Sequence, residues 1–220
     1  MARLARIVIP DCPHHVIQRG VRSLPIFASD ADRKLYLGLL MEHAEQFGIE
    51  FWAWCLMTNH VHLVAVPSDP DALARGIGEA HRRFTRHINA RAGVAGHLFQ
   101  ERFHSFPIQH DGHLLNVVRY VELNPVRAGL SNQAHAYAWS SAAHHALGKP
   151  DPLVRNSPVR DLAPDWKDQL RARTDPVIDD IRRHTRTGRP FGDQAWVKKL
   201  ERKLRRPLLA KPSGRPKEKS

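Results

Sequence analysis

Long apolar runs are missing from this chain. No stretch approaches the ~18 residues that cross a bilayer, so a membrane-spanning helix is not expected. The opening Met-Ala-Arg-Leu-Ala-Arg-Ile has no extended apolar segment, and no secretion signal is expected. Cysteine is scarce. Cys12 and Cys55 are the two present, at no metal-type spacing, and they suit reduced thiols in a cytoplasmic protein. No internal repeat is found. Acidic residues are also short, 22 Asp and Glu against 34 Lys and Arg, a net charge of +12. That balance points to a polyanionic partner, with nucleic acid first; no membrane partner is expected.

What is present is enough for one sizeable core and an appendage: 220 residues, 42% of them hydrophobic. The stretch that organises the chain is Met57-Thr-Asn-His-Val-His-Leu. Phe51 to Val66 reads as strand, with Thr58 and Asn59 forming either a tight turn or a kink in one bent strand. Side chains alternate along a strand, so His60 and His62 share a face and can share a metal ion.

Around this stretch, His14–Arg19 reads as a first strand. Asp30–Phe47 reads as a helix with a Leu35, Leu39, Leu40, Ala44 stripe, and Gly48 stops it. A second helix spans roughly Pro70 to Arg91, with Leu73, Ile77, Phe84 and Ile88 inward. Its arginines Arg75, Arg82, Arg83 and Arg86 form either a solvated face or a phosphate-binding stripe. His104–Gln109 reads as a fourth strand. Asp111 caps a third helix that ends at Asn124, before Pro125. The order predicts an α+β fold, a split βαβ antiparallel sheet with helices on one face.

Beyond Ser131 a short helical stretch reaches Leu147. Residues 1–147 are taken as the main domain, 148–174 as a linker rich in Pro and Asp, and 175–210 as a helical appendage. Residues 211–220 form a basic tail without a hydrophobe, expected to be disordered. From Lys198 to Ser220 there are ten Lys or Arg against two Glu, a net +8.

The third helix carries Arg119-Tyr-Val-Glu-Leu-Asn-Pro-Val-Arg. Tyr120 and Asn124 are four apart and lie one turn apart on one face. A phenol is a weak nucleophile near neutral pH. A divalent cation that polarises a phosphate makes its attack feasible. Asn124, through its carbonyl oxygen, can join the two imidazoles as a third ligand.

These residues resemble a family. Met57-Thr-Asn-His-Val-His-Leu resembles the His-hydrophobe-His signature of single-tyrosine HUH transposases. Tyr120-Val-Glu-Leu-Asn-Pro-Val-Arg-Ala-Gly-Leu is similar to the tyrosine helix of one branch, the REP-associated tyrosine transposases. His15-Val-Ile-Gln-Arg-Gly, Arg102-Phe, Trp139-Ser-Ser and Thr187-Gly-Arg-Pro add to the resemblance. It implies a ferredoxin-like single-strand DNA endonuclease and strand transferase that uses Mg²⁺ or Mn²⁺ and acts on hairpin-forming repeat DNA. His60 and His62 match the metal histidines and Tyr120 the nucleophile that forms a 5′-phosphotyrosine. Thr58 stands where many relatives have proline, and His104 where Arg or Lys is common. Arg19, Arg82, Arg83, Arg86, Arg102 and Arg127 are the expected DNA contacts of the domain. Arg182, Arg183, Lys198 and Lys199 are those of the appendage. Monomer and homodimer both stay open. Two rival readings are a non-catalytic single-strand binding module using Trp52 and Trp54 for stacking, and a metal-dependent phosphoesterase of small substrates.

Overall fold

The computed structural model describes residues 6–110, 112–171 and 177–209. The expected cap at Asp111, the helix start at Asp175 and the tail at 211–220 lie outside the described residues. Four strands form one sheet: β1 (His14–Arg19), β2 (Ile49–Leu56), β3 (His60–Pro67) and β4 (His104–Pro107), in the order β2-β3-β1-β4, with every neighbouring pair antiparallel. Helix α1 (Asp30–Phe47) links β1 to β2, and α2 (Ala72–Ala92) links β3 to β4. This is the split βαβ arrangement, with β1 and β3 at the centre.

Local chemistry sets the ends of α1. Ser29 and Asp32 form a reciprocal capping box, and Gly48 closes the helix in the left-handed region at φ 64°. A Cβ at Gly48 would also collide with Ser68, 2.2 Å away, so only glycine fits this stop. Between β2 and β3, Thr58 and Asn59 make the tight turn; the Met57 amide donates to the His60 carbonyl at 2.8 Å.

Period-two alternation gives the sheet two buried faces. Val16, Leu56, Val61, Leu63 and Ala65 pack beneath α1 and α2. Ala53, Cys55, Val64 and Phe106 face the other way, onto α3 (Gly112–Glu122). The two helices of the split unit share one face as the sequence suggests, but α3 covers the opposite one. The chain does not stop its helical course at Asn124. A further turn, α4 (Asn124–Arg127), follows, because Pro125 sits in its first turn, where no amide proton is needed.

Residues 148–174, expected as a linker, are built into the core as far as they are described. The short helices α5 (Ala142–Leu147), α6 (Val159–Leu162) and α7 (Trp166–Gln169) bury Ala142, Val159 and Trp166 beside α3. A buried carboxylate ties them together. Glu122 accepts from Ser141 Oγ at 2.6 Å, His145 Nδ1 at 2.6 Å and Trp166 Nε1 at 2.8 Å. Burying a charge is tolerated only with such partners.

The appendage is likewise joined to the domain. Helix α8 (Ile178–Thr187) packs on β4 and places Ile181 in the α3-side core. Phe191 bridges to Ile108, and its amide donates to the Pro107 carbonyl at 2.8 Å. Helix α9 (Gln194–Leu204) packs Val197 and Leu200 against Ile7 and Ile9. No helix among the described residues is long and apolar enough to cross a membrane.

Candidate active site

His60 and His62 leave β3 on the face that α3 covers. Tyr120 comes down from α3 to meet them. Its ring lies 5.6 Å from that of His62, and the His60 and His62 rings are 5.0 Å apart. Tyr120 is 8% exposed, and its hydroxyl is bonded to no other described residue. The other two tyrosines are committed elsewhere. Tyr36 bonds His81 at 2.8 Å and Tyr137 donates to the Leu56 carbonyl at 2.9 Å.

A third imidazole belongs to the cluster. His15, on β1, places Nε2 2.9 Å from Nδ1 of His62, and its ring is 6.0 Å from Tyr120. The sequence offers no sign of this contact, because it depends on the β1–β3 register that pairs Ile17 with His62 and sets His15 diagonally across.

Each metal-candidate histidine has its Nδ1 engaged. The Asn59 amide donates to the Ser23 carbonyl at 3.0 Å, which turns its Oδ1 toward His60 Nδ1 at 2.6 Å. A carbonyl oxygen only accepts, so His60 carries its proton on Nδ1 and its lone pair on Nε2. The supporting loop is tight. Gly20 donates to the Asn59 carbonyl at 2.8 Å, and a Cβ there would meet the Leu24 carbonyl at 2.3 Å. Arg22 and Ser23 both sit at positive φ, 52° and 59°, a cost borne beside the site.

Burial keeps these rings neutral. Desolvation pushes His60 down to about 4, with nearby Arg19 adding to it, and His15 down to about 3. His62 is held well below its ordinary value, first by burial and then by His60, His15, Arg127 and Arg19. Neutral imidazoles are the form that binds metal. Among the described residues no set of three His, Cys, Asp or Glu side chains is placed to hold an ion. Asn124 is placed differently from a carboxylate: its Nδ2 donates to the Tyr120 and Val121 carbonyls at 3.0 and 3.3 Å. Its Oδ1 is left as the acceptor end. Two imidazole nitrogens and one amide oxygen are a donor set that suits a divalent cation with open positions.

Arg127 stands over Tyr120, its guanidinium carbon 4.5 Å from the ring centroid, and it also bonds the Tyr120 carbonyl. Arg19 ends β1 opposite His60, and Arg102 precedes β4 at the same end of the sheet. The other expected DNA contacts are not brought to Tyr120. Arg82, Arg83 and Arg86 lie on α2, across the sheet. Arg82 pairs with Glu79, and Arg83 pairs with Glu42 of α1. Arg182 and Arg183 pair with Asp179 and Asp180 one turn earlier on α8, at 3.4 and 2.9 Å. Lys198 and Lys199 are exposed on α9.

A different basic surface was not read from the sequence. A cleft of about 800 Å³ between β4 and the appendage is lined by Arg6, Arg102, Arg186, Arg189 and Arg206, with Glu101 as its acid. Arg6 lies over the Phe103 ring at 3.7 Å; burial and Arg102 bring its guanidinium down to about 10.

A four-stranded antiparallel sheet thus sets two histidines and a helical tyrosine on one side of the molecule. The chain belongs to the IS200-like transposase family, whose model matches residues 9–124. Its fold is similar to that of a REP-associated tyrosine transposase solved bound to a REP hairpin. That match has a TM-score of 0.54 and 17% identity, and it covers 71% of this chain and 93% of the other. A provisionally named transposase from Deinococcus radiodurans R1 is 20% identical, with a TM-score of 0.38 over 55% of this chain and 96% of the other. The comparison with curated proteins returned no match.

Proposed function

We propose that this transposase cleaves and rejoins single-stranded or hairpin DNA through Tyr120. The observation that carries the reading is the meeting of Tyr120 with His62 across the α3–sheet interface, 5.6 Å between their rings, with the His60 ring 5.0 Å from that of His62. His60 and His62, through Nε2, and Asn124, through Oδ1, would hold Mg²⁺ or Mn²⁺. When bound, the ion would polarise the scissile phosphate and offset its charge. Tyr120 Oη attacks phosphorus in line. The Oη–P bond forms and the P–O3′ bond breaks, and the phenol proton is balanced by the proton taken up at the 3′ oxygen. The product is a 5′-phosphotyrosine and a free 3′-hydroxyl. A 3′-hydroxyl of another strand reverses the step without an energy cofactor.

Arg127 holds the tyrosine ring by cation–π contact and by its bond to the Tyr120 carbonyl. Arg19 and Arg102 offer phosphate contacts at the His60 end of the sheet. The arginine cleft beside β4 extends that path, and phosphate contacts supply most of the affinity. The solved relative was bound to a REP hairpin, which favours a palindromic repeat as the substrate here.

The test is labelled hairpin DNA with Mg²⁺ or Mn²⁺, followed by denaturing electrophoresis. Wild type should give a protein–DNA adduct that EDTA abolishes. Tyr120→Phe should give none while binding DNA nearly as well, since only the phenol oxygen is lost. An adduct in the Phe variant would move the nucleophile elsewhere. Adduct in EDTA would remove the metal.

A further inference from the structure

The buried histidines divide into two kinds. His14 is fully satisfied: Nδ1 donates to the Cys12 carbonyl at 2.7 Å, and Nε2 accepts from the Ile9 amide at 3.2 Å. His15, its neighbour on the other face, is not. Its Nε2 meets His62 Nδ1, and its Nδ1 is buried with no partner among the described residues. A buried ring nitrogen left unpaired is a cost that packing alone would remove, since a phenyl ring would fill the same space.

The geometry of the pair is specific. The rings are parallel to within 6° and their nitrogens are 2.9 Å apart. Rings stacked face to face cannot bring two nitrogens that close. The rings therefore meet edge to edge, with the hydrogen bond lying in both planes. Such a bond holds one proton between two nitrogens, and its position sets the far nitrogen of each ring. If His62 Nδ1 holds it, His62 Nε2 is a lone pair. If His15 Nε2 holds it, His62 Nε2 is an N–H and can bind no cation.

We infer that His15 is a positioning residue that accepts the His62 Nδ1 proton and so turns His62 Nε2 into a metal ligand, as Asn59 does for His60. His15 then keeps its own proton on Nδ1, the nitrogen without a partner. This rests on the reading of His60 and His62 as metal ligands. Phe106 and Tyr120 flank the His15 ring with edge contacts at 5.1 and 6.0 Å.

The test uses the full chain and reads metal binding, with no DNA present. Free Mn²⁺ is followed by electron paramagnetic resonance for wild type, His62→Ala, His15→Phe and His15→Gln. The Phe variant keeps the volume but accepts nothing, and its affinity should fall about 10–100-fold with the thermal midpoint unchanged or higher. The Gln variant carries an acceptor oxygen and should recover most of the affinity. In parallel, ¹⁵N-histidine NMR of the wild type with Mg²⁺ should place the proton on His62 Nδ1. Equal Mn²⁺ affinity in wild type and His62→Ala would sink the metal reading itself. If His62→Ala loses affinity but His15→Phe does not, or if NMR finds the His62 proton on Nε2 with Mg²⁺ bound, His15 has only a packing role.

Discussion

Tyr120 is held by two contacts from one residue. Arg127 lies over its ring and bonds its carbonyl, at one helical turn beyond α3. A lysine there would keep the charge but lose the planar fork and most of the stacking. Arg127→Lys should therefore slow adduct formation while changing DNA affinity little. A loss of about 1 kcal/mol from the cation–π contact corresponds to about fivefold in rate. Single-turnover adduct kinetics at saturating DNA would measure it. An unchanged rate together with weaker binding would make Arg127 a phosphate contact instead. Arg83 gives the opposite lesson. Its position on a basic helical face suggests DNA, yet it bridges α2 to Glu42 of α1.

At the level of elements, α3 does two jobs with neighbouring residues. Tyr120 faces the histidines, and Glu122 turns away toward α5 and α7. Its carboxylate is fully buried and meets Ser141, His145 and Trp166. Glu122→Ala would leave three buried donors unpaired. The expected cost is about 3–5 kcal/mol, read as a shift in the urea midpoint. A loss under about 1 kcal/mol would show that water replaces the carboxylate. The same network explains why 148–171 is not a free linker. Trp166 is 1% exposed and anchors it. For the same reason, α8 is not separable at 175. Ile181 and Phe191 belong to the α3-side core, so removing the appendage would open that core as well as remove charge.

For the whole molecule, the buried neutral histidines link stability to acid. His14 is brought down to about 4 and His81 to about 3, both first by desolvation. In the unfolded chain they titrate near 6.5. Between pH 6.5 and about 4 the unfolded state therefore binds more protons, and stability falls as pH falls. Above 6.5 this contribution is fully present. Urea unfolding at pH 7.5, 6.0 and 5.0 should show a steadily lower midpoint. A flat profile from 7.5 to 5.0 would mean that these rings are protonated in the fold. Asp32 acts in the same direction at lower pH, because Arg91 holds its carboxyl below the usual range.

The sequence by itself determined what is local. Period two put His60 and His62 on one face, helical spacing put Tyr120 and Asn124 on another, and Gly48 marked the end of α1. The strand–helix order was enough to name the α+β class. Composition, however, misread 148–171 as linker, because Leu153, Val154, Val159, Trp166 and Leu170 are spread among Pro and Asp and show no period. Only the tertiary structure decided which elements face one another. It set α3 against the sheet face opposite α1 and α2, so the α2 arginines fall away from Tyr120. It paired β1 with β3, so His15 reaches His62. It folded α8 and α9 onto β4, so Arg6, Arg102, Arg186, Arg189 and Arg206 line one cleft. Each of these joins residues far apart in sequence, and a pairing register leaves no periodic trace in either strand alone.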